Sequence, residues 1–159
     1  MAKDLNDLIN KLSRLENNLG EIVAPEVQKL FRDSVCLSLA AWYNSYSPHM
    51  YHRTYNFLSV LENTRASGKG NIITMTTHSG SMSTYPGFEI PPYKGYQRQS
   101  LQPSTAFDFF FMSGEHGHGK WMMQQSVPPY RYVDKDIHSG FGGRINSIIA
   151  KCIGKYMQG

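Results

Sequence analysis

Apolar residues recur at helical spacing through the first forty-six positions, and this constrains the fold more than anything else in the chain. Leu5, Leu8, Leu12, Leu15, Leu19 and Ile22 are separated by threes and fours, which makes one leucine seam on a helix. Gly20 and Pro25 interrupt the seam before a fourth heptad, so packing on a second helix is expected rather than a coiled coil. Ala24-Pro25-Glu26 reads as the start of that second helix, because proline is tolerated in a first turn and an acidic residue suits the positive end of the dipole. Val27, Leu30, Phe31, Val35, Leu39, Trp42 and Tyr46 carry the period onward and predict the longest element. Ser38, Ala40 and Ala41 leave room for a sheet to approach it.

Ser47-Pro48 stops this run, since proline lacks an N–H and pushes its predecessor out of the helical region. Tyr46, Pro48, Tyr51, Arg53 and Thr54 then form a hinge that leads, by way of Phe57, Leu58, Val60 and Leu61, toward a strand ending near Thr64. Ser67-Gly-Lys-Gly-Asn71 is a turn signal, and Ile72–His78 alternates with β-branched enrichment, so the two predict a hairpin. Ala106–Met112, with four phenylalanines in seven residues, reads as a central strand, and Val127-Pro-Pro-Tyr130 reads as extended. Tyr132–Ile137 fits a helical turn, and Ile145, Ile148, Ile149, Cys152, Ile153 and Tyr156 predict a final amphipathic helix. The expected fold is α+β: two N-terminal helices packed on a small antiparallel sheet, a long inserted loop or hairpin, and a C-terminal helix.

That insertion, at about 79–104, is rich in Gly, Ser, Pro, Tyr and Gln. Its length and its aromatics separate it from a plain linker, and an arm that orders against a partner is expected. Tyr85, Phe88, Tyr93, Tyr96 and Arg98 are its candidate interface residues. The other 159-residue totals fit one domain, which at this length buries roughly two-thirds of its unfolded surface. Ten Tyr and eight Met suit a protein that contacts other proteins. The net charge of +4 is spread along the chain without a basic run, so a modest positive field is expected rather than a nucleic-acid grip. Cys36 and Cys152 fall in apolar helical surroundings and read as buried hydrophobes. No signal region or membrane-length window occurs, which predicts a cytosolic product with no membrane role.

The one constellation with metal-binding character is Glu115-His-Gly-His118, where His116 and His118 share a strand face and Glu115 or His78 would complete a set. Histidines in a glycine turn at a surface are the simpler reading. No nucleophile elbow is present, and Trp121 follows Lys120 where a phosphate loop needs Ser or Thr. Gly140-Phe-Gly-Gly143 ahead of a helix offers backbone N–H groups to an anion. The carboxylates of the second half do not pair for acid–base work, so no catalytic residue, cofactor or metal is expected, and no enzyme. A metal-dependent enzyme or nucleic-acid module built on Glu115, His116 and His118 is the rival from another class.

The order of these parts resembles the tail-completion or head–tail connector family of long-tailed bacteriophages. The resemblance rests on Tyr-x-Pro-x-x-Tyr-x-Arg-Thr-x-x-Leu, present as Tyr46, Pro48, Tyr51, Arg53, Thr54 and Phe57-Leu58, followed by His-Gly, Pro-Pro-Tyr and a C-terminal helix. It covers the first half and, more loosely, the chain after Phe107; the Tyr/Pro/Gly insertion departs from it. The resemblance implies a structural virion subunit assembled as a homo-oligomeric ring at the neck, made in the host cytoplasm. Its partners would be portal-adaptor, neck and tail proteins, with DNA passing through the lumen. Another minor capsid or tail component would share the composition.

Overall fold

The computed structural model describes residues 5–45, 55–84, 102–112, 115–116, 124–125 and 129–158. A single helix, α1, runs from Leu5 to Asn44 with Pro25 inside it. This corrects the expectation of two N-terminal helices. Pro25 removes one intrahelical donor, but it sits on an exposed face while Val23, Ala24 and Val27 around it are buried. Packing on both sides of the proline outweighs a penalty of about 3 kcal/mol for interior proline.

After α1 a 3-10 helix spans Asn56–Asn63, where a strand was expected. Phe57 and Val60, both buried, are three apart and therefore eclipse on one side of a three-fold helix. The Ser59 hydroxyl donates to the Asn56 carbonyl (2.6 Å) and braces the turn. The predicted hairpin is present: β1 (Arg65–Lys69) pairs antiparallel with β2 (Ile72–Thr76) across Gly70-Asn71. Gly70 has φ +58°, which a type II′ hairpin turn demands at its first central residue.

Pro103 opens a short helix, α2 (Pro103–Ala106), that continues as a π-helical turn over Phe107–Met112. The expected strand at Ala106–Met112 is therefore helical. Phe107 and Phe111, four apart, stack with centroids 4.7 Å apart, and Ala106 and Phe111 are buried. β3 (Glu115–His116) pairs with β4 (Gln124–Gln125) as a second, minimal antiparallel pair. Pro129 begins α3 (Pro129–Asp136) at the helix start that tolerates proline, instead of continuing an extended stretch. A π-helical turn over Ile137–Phe141 joins it to α4 (Gly142–Gln158), the expected C-terminal helix. Gly142 and Gly143 thus lie within a continuing helical run, which leaves no row of free N–H groups for an anion there.

The chain forms two compact units. The first comprises Met1–Ser34, Thr64–Thr76 and Asp134–Gly159, and the second Val35–Asn63 and Thr77–Val133. In the first, Val23, Val27 and Cys152 form a core flanked by Leu19, Ile22, Ala66, Ile73, Met75, Ile145, Ile148 and Ile149. The hairpin and α4 thus share the seam of α1. In the second, Trp42 meets Tyr43 (4.9 Å) and Phe57 (5.5 Å) edge-on, and Tyr43 lies 5.1 Å from Tyr55. Cys152 is buried as expected, but Cys36 is exposed on α1.

Candidate assembly surface

In the first unit the hairpin sits against the backbone of α1 itself. The Gly20 N–H donates to the Gly70 carbonyl at 2.6 Å, and a Cβ on Gly68 would overlap the Gly20 carbonyl group. Just over two turns along the helix, the Gln28 Oε1 accepts from the Ala66 N–H at 3.1 Å. Between these points lies a shallow cleft lined by Glu21, Ala24, Pro25, Gln28, Ala66 and Gly68. Its walls carry no set of groups able to perform acid–base or nucleophilic chemistry. The outer edge of β1 is therefore closed by the helix.

The outer edge of β2 is different. The sheet has only two strands, and no backbone or side-chain hydrogen bond reaches Ile73 or Met75 from outside the hairpin among the described residues. Ile72 projects from the other sheet face at 69 % exposure. On the first turns of α1, Leu5 (70 % exposed), Ile9 and Leu12 share one exposed helix face, while along the seam Leu8, Leu19 and Ile22 are half-buried and Leu15 is buried. In the second unit Leu37 is 68 % exposed, and Tyr55, Leu58 and Met112 are exposed too.

The stem of the expected arm is held by side-chain amides. Asn56 grips Ser83 twice, its Nδ2 donating to the Ser83 carbonyl (2.6 Å) and its Oδ1 accepting from the Ser83 N–H (2.9 Å). The Asn63 Nδ2 donates to the Ser81 hydroxyl (2.6 Å), and Met82 between them is buried. Residues 79–84 therefore belong to the packed unit. Sequence reasoning missed this anchoring, whose signal was two asparagines seven apart facing a serine-rich segment.

Asp136 carries the clearest electrostatic contact. Arg144 donates to its Oδ1 at 2.6 Å, and this bond, with the Ser34 hydroxyl beside it, holds the carboxyl below its ordinary value near 3.8 against the opposing effect of burial. The Arg144 guanidinium also lies 5.6 Å from the Phe141 ring centroid. In the π turn the His138 Nδ1 is 2.8 Å from the Asp134 carbonyl, which it serves as donor when that nitrogen carries the proton.

Of the sequence-based sites, the hinge residues Tyr46, Pro48, Tyr51, Arg53 and Thr54 and the arm residues Tyr85, Phe88, Tyr93, Tyr96 and Arg98 lie outside the described residues, as does His118. Glu115 and His116 are on β3, opposite Gln125 and Gln124. His78 is in a local turn, its Nδ1 accepting from the Gly80 N–H at 3.1 Å. Among the described residues no His, Cys, Asp and Glu group is arranged to hold a metal, and no helix is long and apolar enough to cross a membrane.

No family model, curated protein or solved structure matches this chain.

Proposed function

We propose that this chain is a structural subunit of a tailed-bacteriophage virion, a tail-completion or head–tail connector protein that forms a ring at the neck between portal complex and tail tube. The observation that carries the reading is apolar exposure on separate elements: Leu5 and Leu37 on α1 and Ile72 on β2 each stand about two-thirds or more in solvent. Side chains of this kind are costly to hydrate, and an assembly that buries them recovers the cost. The abundance of tyrosine and methionine supports contact-making as well. A ring follows when such contacts are heterologous and close on themselves.

The test is to count this chain against the major capsid protein by quantitative mass spectrometry of purified source particles. A fixed low ratio, as for one ring per particle, is expected. A high ratio would assign the chain to tube or shell, and absence from the particle would overturn a virion role.

A further inference from the structure

We propose that two copies of this chain pair through the outer edge of β2, antiparallel, about a two-fold axis at Thr74. The argument begins with the ladder. A two-residue turn makes Lys69 and Ile72 the closing hydrogen-bonded pair. Pairs then alternate, so Ser67/Thr74 and Arg65/Thr76 bond each other, while Gly68/Ile73 and Ala66/Met75 direct their amides and carbonyls away from the hairpin. The Ala66 N–H, which leaves β1 for Gln28, fits this alternation. On β2 the outward groups are those of Ile73 and Met75, and they have no such partner among the described residues.

These two residues flank Thr74 symmetrically. An axis at Thr74 therefore sets Ile73 of each copy opposite Met75 of the other, outward groups against outward groups, and each such pair exchanges both of its backbone bonds. A shift by one residue would lose this match. The side chains agree as well. Ile73 and Met75 of both copies fall on the face that already carries the core of the first unit, and exposed Ile72 gains the partner's Thr76 as a cross-strand neighbour. Ile72–Thr76 itself contains no charge and no proline, and the register runs without a bulge, so the strand carries none of those edge guards. The pairing is a property of the free chain and does not depend on the neck reading.

Thr74 is exposed, so its side chain can be changed without touching the core. Sedimentation velocity on the full chain should show a concentration-dependent dimer. Thr74→Lys and Thr74→Asp, each placing like charges directly opposite one another, should weaken it about fivefold or more while the circular dichroism is unchanged. An equimolar mixture of the two variants should dimerise again. Leu12→Asp, which alters the exposed α1 seam instead, should dimerise like the parent. A parent chain that stays monomeric at every accessible concentration overturns the proposal. So do a dimer indifferent to both Thr74 variants, a mixture that does not recover, a dimer lost in Leu12→Asp, or open-ended oligomers in place of a dimer.

Discussion

Gly20 and Gly68 meet backbone to backbone, and the space between them excludes even a methyl group. Gly68→Ala should destabilise the chain by about 1–3 kcal/mol in urea denaturation, since neither backbone can move aside cheaply. Gly154, inside α4 with nothing near the site of its missing Cβ, should behave oppositely, and Gly154→Ala should stabilise by roughly 0.5–1 kcal/mol in the same assay. The two positions look alike in the sequence. Gly20 reads there as a helix interrupter and Gly68 as part of a turn signal; neither reading contains the contact, because a long-range approach leaves no local pattern. The Asp136–Arg144 pair gives a residue-scale test in pH. Because the folded state holds the Asp136 carboxyl below its ordinary value, its contribution is present above about pH 3.8 and is lost as the pH falls through the lowered value. Asp136→Asn should cost no more than about 1 kcal/mol at pH 7, the pair being part-exposed, and thermal unfolding should show the difference from the parent vanishing in acid.

At the scale of elements, α1, the hairpin and α4 were legible because their periodicities extend over many residues. Val27, Phe31, Val35, Leu39 and Trp42 are all buried, as the three-and-four spacing requires. Pro25 misled because local rules stop a helix there, whereas the burial of Val23 and Val27 on either side carries it through. The Phe107–Met112 run misled for another reason. A short continuous apolar segment has no period of its own, so it fits a buried strand and a helix equally, and Pro103 in a helix's first turn was the discriminating signal. Asn56 offers a test of how far a single side chain secures an element. It pairs with both backbone groups of Ser83, and Asn56→Ala should cost about 1–2 kcal/mol and raise amide exchange at Ser83. Thermal melts with hydrogen-exchange mass spectrometry would check both. If the arm beyond this stem works in assembly, the same substitution loosens the point from which it departs.

For the whole molecule, composition indicated contact-making, and the exposed apolar side chains are where such contacts would be made. The hinge motif and the arm aromatics named from the sequence fall outside the described residues, so the candidate contacts rest instead on Leu5 and Ile72 in the first unit and on Leu37 in the second. No sequence pattern separates a leucine on a buried seam from one on its uncovered continuation, which is why Leu5 and Leu12 read as core. A ring would draw on surfaces other than the β2 edge, because a pairing about a two-fold axis is closed. The core of the first unit has a further consequence, for synthesis. Val23 and Val27 are made early and Cys152 late, with Ala66, Ile73 and Met75 between them. A nascent chain that has formed α1 and the hairpin but lacks α4 still presents that apolar face to solvent, and every ribosome working on this message carries it until α4 emerges. The rate at which the last helix is translated therefore sets how long each chain is open to unwanted partners.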